Sequence, residues 1–374
     1  MLYKLSDVFD LQMGKTPSRD NNMYWKDGNL PWVSIADLSK SQIYIENSKE
    51  MITNLAAKDT LMKCIPQDTV IMSFKLSLGK TAITKTPLYT NEAIMAFIDK
   101  KVIQIEPKYI YFLFSYIKWG QFTNNAVKGK TLNKKFFSDF QINIPKYIQQ
   151  TKVASILIRI NKILEYKHSL IKAYDALIKS RFVEMFGIFN VNTNNQNTIK
   201  FKDLIEQNNT NEDDLVWLLN LDMIKANTGE IVEKVYINRQ NIPTSSISFK
   251  KGTVLYSKLR PYLNKVVIAD ENGYGTSELI PLNSYKNGLT AEYLAYYLRQ
   301  DSFVEYIKDK VTGAKMPRVA MDVLRSIDIV QPNYVYQEQF SSFVYQINKL
   351  KSDVQKSIDE TQLLMDSLMQ EYFG

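Results

Sequence analysis

The sequence predicts an α+β protein written as an internal repeat, with two globular domains joined by two long antiparallel coiled-coil helices and an approximate two-fold relation between its halves. Three observations predict it. Residues 188–374 repeat the pattern of residues 1–187 at a nearly constant offset of about half the chain. Each half closes on a long segment with apolar residues at heptad spacing, which needs a partner helix. Ahead of each segment, short β-branched and aromatic runs alternate with stretches of helical period.

In chain order, Trp32-Val33-Ser34-Ile35-Ala36-Asp37-Leu38 aligns with Trp217-Leu218-Leu219-Asn220-Leu221-Asp222-Met223. Val70 to Leu76 aligns with Val254 to Leu259 allowing a small gap, and Asn91-Glu92 with Ser277-Glu278. Lys128-Gly129-Lys130 lies opposite Thr312 to Lys315, and the run ending at Pro145 lies opposite the run ending at Pro332. Strands are expected at 68–74 and 252–256, and helices at 109–119 and 291–306. A two-copy repeat of this length is a domain duplication, not a solenoid unit. The expected boundaries are 1–146 for the first domain, 147–187 for its helix, 188–199 for a polar linker, 200–332 for the second domain and 333–374 for its helix.

In the first helix, Ile156, Ile163, Leu170 and Leu177 recur every seven residues beside the row Leu157, Leu164, Ile171, Ile178 and Met185, with Ile160 between them. The second carries Phe343, Ile347, Leu350, Val354 and Leu364. A helix from 148 to 186 gives a rod of about 57 Å at about 1.5 Å per residue. The first helix is mainly basic and the second mainly acidic, which favours pairing the two unlike helices. The first helix leaves one domain and ends at the other, so the second must run back antiparallel.

Composition narrows the chemistry. The chain has 374 residues, 45% of them hydrophobic, enough for a substantial core. No run of about eighteen apolar residues exists to span a membrane, and the opening MLYKLSDVFDLQ does not resemble a secretory signal. The lone cysteine, Cys64, forms no internal disulfide and fits a reducing cytoplasm. One histidine, His168, and one cysteine leave a common zinc site short of ligands. Forty-seven basic against thirty-nine acidic residues give a net charge of +8, the sign that suits a polyanionic partner.

Gly-Lys-Thr occurs three times, at Gly14, Gly79 and Gly129. A phosphate-cradling loop needs another glycine five positions earlier, where this chain has Phe9, Phe74 and Asn124. All three triplets fail, and an ATP site is not expected.

The opening string Gly14-Lys15-Thr16-Pro17-Ser18, then Tyr24-Trp25 and Leu30-Pro31-Trp32-Val33-Ser34-Ile35-Ala36-Asp37-Leu38, resembles the target-recognition domains of specificity subunits from type I restriction-modification systems. The two-copy layout resembles that family's plan of two recognition domains, each followed by a spacer helix. The second copy lacks a comparable opening string and looks like a recognition domain of another subtype. The resemblance implies a non-catalytic reader of a bipartite double-stranded DNA target. It also implies two modification subunits that bring S-adenosylmethionine and methylate adenine, and restriction subunits that use ATP and Mg; no cofactor or metal is expected on this chain. The rival readings are a stand-alone methyltransferase or nuclease, and a coiled-coil scaffold that binds DNA without sequence preference. No adenine-methylating Asn/Asp-Pro-Pro-aromatic string and no glycine-rich methyl-donor loop occurs.

On this reading, Lys and Arg grip phosphate and paired polar groups read bases. The candidates in the first copy are Lys15, Thr16, Ser18 and Arg19, then Ser73, Lys75, Ser77 and Lys80, then Lys128, Lys130, Asn133 and Lys134. Those in the second copy are Ser257, Lys258, Arg260, Tyr262 and Lys265, with Lys315 and Arg318. Trp32 and Trp217 sit in apolar strings and are expected in the core.

Overall fold

The computed structural model describes residues 1–123, 132–191, 196–206 and 214–374. The chain divides into two compact units, Met1–Tyr166 with Ile358–Gly374, and Lys167–Ser357. Each long helix therefore contributes to both units. The first helix runs Tyr147–Phe186 and the second Tyr334–Phe373.

In the first unit, a sheet of five strands among the described residues has the order Phe9–Met13, Ile94–Asp99, Val70–Ser73, Thr81–Thr84 and Tyr44–Ile45. Val70–Ser73 is central, paired antiparallel on both sides, and all four of its residues are buried. That burial explains its unbroken apolar run, since neither face meets water. Beneath it, Phe97, Phe114, Trp119 and Phe137 form the aromatic centre of the core. A smaller sheet of Glu50–Ile52, Leu30–Val33 and Tyr89–Thr90 carries Trp32.

The second unit has the corresponding strand, Val254–Ser257, between Val266–Ile268 and Leu279–Leu282. A second sheet orders Val235–Asn238, Leu215–Leu219, Gly273–Gly275 and Ile247–Phe249. Trp32 and Trp217 are both buried, as their apolar strings predict. The helix expected at 291–306 is two helices, Ala291–Arg299 and Asp301–Lys308. The chain turns extended at Gln300, whose side chain accepts the Phe189 N–H. Phe189, inside the predicted linker, is buried against Tyr297 and Phe303.

The repeat extends to single hydrogen bonds. In the first unit, Leu2–Lys4 pairs antiparallel with Gln141–Asn143, the strand before the long helix; in the second, Thr198–Lys200 pairs with Asp328–Val330. At the start of the first helix, buried Gln150 accepts the Glu106 N–H (2.9 Å) and donates to the carbonyls of Gln104 (3.0 Å) and Pro145 (2.9 Å). Gln337 repeats this at the second helix, with the Thr290 N–H (2.9 Å) and the carbonyls of Gly288 (3.2 Å) and Pro332 (2.8 Å). An apolar side chain in either place leaves three backbone groups unpaired, which is why a glutamine is kept at nearly zero exposure.

Within the second unit the two helices run antiparallel. Phe182 meets Phe340 with centroids 5.3 Å apart, Asp175 pairs with Lys351, and the Lys167 ammonium donates to the Ser357 carbonyl and hydroxyl at 2.8 and 2.7 Å. The pair between Asp175 and Lys351 takes its acid from the basic helix and its base from the acidic one, so local register outweighs net helix charge here. Within the first unit, Val153, Ala154 and Leu157 share a core with Met365, Leu368, Met369, Tyr372 and Phe373.

The seam assignment needs correction. Ile160 and Ile347 are buried and Ile156, Phe343 and Val354 partly so, but Ile163, Leu170, Leu177, Leu350 and Leu364 are exposed. The inward positions are Leu157, Leu164, Ile178 and Phe182 on the first helix, and Phe340, Val344, Ile347 and Ile358 on the second. With two adjacent apolar rows, only one faces the partner, and a strict seven-residue row drifts about 20° per heptad around a straight helix.

Candidate nucleic-acid interface

The central strand of each unit ends in a serine, Ser73 or Ser257, and the loop that follows is held by the same set of backbone bonds. Ser73 donates its N–H to the Lys80 carbonyl (2.9 Å), Phe74 to Ala93 (2.9 Å), and Leu132 donates to Phe74 (3.0 Å). In the second unit, Ser257 donates to Lys265 (3.1 Å), Lys258 to Glu278 (3.0 Å), and Val319 donates to Lys258 (3.1 Å). This register equates Phe74 with Lys258, Lys75 with Leu259 and Leu76 with Arg260. It corrects the gapped alignment, which set Lys75 and Lys258 in corresponding clusters, and it places Glu92 opposite Ser277. It also brings each strand-end loop beside the second candidate segment, at Leu132–Lys134 in one unit and Arg318–Val319 in the other.

Both serine hydroxyls turn inward: Ser73 Oγ donates to the Ser77 carbonyl and accepts the Lys80 N–H, and Ser257 Oγ donates to the Leu259 carbonyl. They shape the loops and do not face solvent. Each loop then contains two left-handed residues, Leu76 (φ 63°) and Gly79 (φ 79°) in the first, Arg260 (φ 47°) and Asn264 (φ 49°) in the second. Glycine suits the second position because its Cα packs on Trp119, where a Cβ would sit 2.8 Å from the indole. The glycine of this Gly-Lys-Thr triplet thus answers to a turn.

The cations sort into held and unheld groups. Among the described residues, no hydrogen bond or ion pair engages the side chains of Lys75, Lys80, Lys134, Lys258, Arg260 or Lys315; the Lys75 ammonium lies 5.3 Å from the Phe74 ring centre. Tyr262 is exposed on the short turn Pro261–Leu263. Other predicted contacts are occupied. Lys265 donates to the Leu221 carbonyl. Arg318 donates through Nε and Nη2 to Glu278 Oε1 at 2.9 and 2.8 Å, tying its own segment to the neighbouring strand. Asn133 caps the helix Lys134–Asp139 by accepting the Phe136 N–H. Lys128 and Lys130 lie outside the described residues.

The opening loop is bound up throughout, which its basic sequence did not disclose. Lys15 donates to the carbonyls of Thr60 (2.8 Å) and Leu61 (3.3 Å), and Thr16 donates to Glu92. Arg19 forks onto Glu50 (2.5 and 3.1 Å) and stacks 3.9 Å from the Trp25 ring centre, while the Ser18 carbonyl accepts the Trp25 indole N–H. Gly14 crosses the Thr90–Asn91 backbone so closely that a Cβ would lie 2.2 Å from both carbonyl oxygens. The motif residue Asp37 completes a capping box with Ser34 and accepts the Lys49 N–H. Burial raises its pKa, but the hydrogen bonds of Ser34 and Lys49 outweigh that and hold the carboxyl below its usual range. The opening signature is therefore a staple of the fold, and the cations unheld among the described residues lie on the strand-end loops (Lys75, Lys80, Lys258, Arg260) and the segments beside them (Lys134, Lys315).

These features define a duplicated α+β protein whose two units each present a basic loop cluster, held by matching backbone hydrogen bonds, at the end of a buried central strand. Residues 1–174 match the family described as type I restriction modification DNA specificity domain. The specificity subunit of type I restriction enzyme MjaIX from Methanocaldococcus jannaschii is 27% identical over 187 residues, covering 49% of this chain and 42% of that subunit. The EcoprrI specificity subunit from Escherichia coli is 24% identical over 164 residues, covering 43% of this chain and 40% of that subunit. The chain thus spans less than half the length of these curated relatives. Its fold is similar over 100% of its length to a chain of a type I R-M system solved to study complex assembly and conformational transition (TM-score 0.62, 14% identity, 97% of that chain). It is likewise similar to the type I S subunit from M. genitalium (TM-score 0.56, 11% identity, 96% of that chain).

Proposed function

We propose that this chain is the DNA-reading specificity subunit of a type I restriction-modification complex, in which each unit binds one block of a bipartite duplex target. The observation that carries the reading is the twice-built loop frame with unheld cations, in a chain whose residues 1–174 match a DNA specificity domain. Lys75, Lys80, Lys258 and Lys315 grip phosphate, and the two long helices set the gap between the blocks. The chain itself catalyses nothing and holds no cofactor. S-adenosylmethionine is carried by two modification subunits that methylate adenine, and ATP and Mg serve the restriction subunits. The chain works in the cytoplasm; no helix among the described residues is long and apolar enough to cross a membrane.

Competition between a selected bipartite duplex and a scrambled one at fixed salt tests the reading, because a non-specific scaffold gives equal affinities. Purified chain with labelled S-adenosylmethionine and DNA should transfer no methyl group; transfer without added subunits refutes a purely reading role. Inserting one heptad into the first helix should lengthen the gap between the blocks, and an unchanged gap refutes the helices as ruler.

A further inference from the structure

The shared loop frame puts one residue of each unit in a conformation that its side chain disfavours. Leu76 and Arg260 stand three positions after Ser73 and Ser257, both exposed and both left-handed, at φ 63° and 47°. For a non-glycine residue this backbone region is costly, and such strain persists only where the surroundings impose it. Here the imposing structure is the serine-anchored frame, with its three corresponding backbone bonds in each unit. Leu76 is also 74% exposed, so burial does not repay its conformation. The frame is constant between the units; the tip residue is not.

We propose that these tips choose the bases: Leu76 reads a thymine 5-methyl group in one block of the target, and Arg260 reads the O6/N7 edge of a guanine in the other. The proposal rests on the DNA-reading function above. A leucine has no hydrogen-bonding side-chain atom, and the thymine methyl is the apolar mark by which it distinguishes a base edge. An unheld guanidinium matches the paired acceptors of guanine. Both marks lie in the major groove, as two tips on one kind of frame require. Lys75 and Lys80 flank Leu76, and Lys258 precedes Arg260, so phosphate contacts seat each tip while the tip residue selects.

The test uses the full chain assembled with its modification subunits and a target defined by base-resolved methylation mapping. Each thymine is replaced singly by deoxyuridine, which removes only the methyl, and each guanine by 7-deazaguanine, which removes only N7. In one block, loss of one methyl should weaken binding several-fold, and Leu76→Ala should abolish that sensitivity alone. In the other, loss of one N7 should weaken binding about tenfold, and Arg260→Ala should abolish it. Leu76→Gly and Arg260→Gly relieve the left-handed strain, so their thermal unfolding should be unchanged or higher while the base sensitivity disappears; a merely structural tip gives lower stability with sensitivity retained. The proposal is overturned, with the function intact, if the wild type prefers its target over scrambled duplex yet no position is methyl- or N7-sensitive, or if the sensitivities survive the alanine variants. Equal binding to target and scrambled duplex overturns the function and this proposal together.

Discussion

Lys15, Lys75 and Lys80 all stand in or beside Gly-Lys-Thr loops of the first unit, yet they should respond differently to salt. Lys15 is tied to the carbonyls of Thr60 and Leu61, whereas among the described residues no hydrogen bond or ion pair engages the side chain of Lys75 or Lys80. Each phosphate contact contributes about 0.9 to the slope of log affinity against log salt, through the counterions it releases. From about 50 to about 200 mM salt, one lost contact reduces the fall in affinity by about 3.5-fold, and two reduce it by about 12-fold. Lys75→Ala combined with Lys80→Ala should therefore flatten the slope by about 1.8. Lys15→Ala should leave it unchanged, because its ammonium already serves the protein. Fluorescence anisotropy of a labelled target duplex at four salt concentrations measures the slopes. Equal slopes for all three proteins, or a Lys15→Ala slope as flat as the double variant's, would refute the sorting of held from unheld cations.

Gln337→Ala removes three buried hydrogen bonds to backbone and should destabilise the second unit by about 3 kcal/mol, read as a lower urea midpoint. Leu157→Ala, at a wholly buried position, should cost about 3 kcal/mol, while Ile163→Ala, at 46% exposure, should cost less than about 1 kcal/mol; equal losses would restore the discarded helix row. Asp37 titrates below its usual value of 3.8 because of its hydrogen bonds. Its folded pKa is depressed, so the stability it lends is present above the unfolded value and lost as pH falls through the folded one. Asp37→Asn should be destabilised at neutral pH, and its gap from the wild type should close below about pH 4; a gap independent of pH would contradict this.

Several features are legible in the sequence because they are written as periodicity or repetition. Heptad spacing marks both long helices, and the aligned halves give the duplication, since a core face must recur along an element whatever lies opposite it. The apolar strings around Trp32 and Trp217 mark core strands for the same reason. The partner of a polar side chain is not written this way. Lys15 and Lys75 both follow a loop-forming pattern, yet the first meets carbonyls contributed from residues 60 and 61 and the second meets none among the described residues. Gln150 and Gln337 stand at matching places in the repeat, but their value lies in backbone groups brought to them by distant turns. The choice between the rows of Leu157 and Ile163 likewise depended on which face met a partner. Composition and period alone determined the elements and their duplication, because local burial dictates them; only tertiary structure decided which cations are held and which tips are strained, because those follow from groups far apart in the chain.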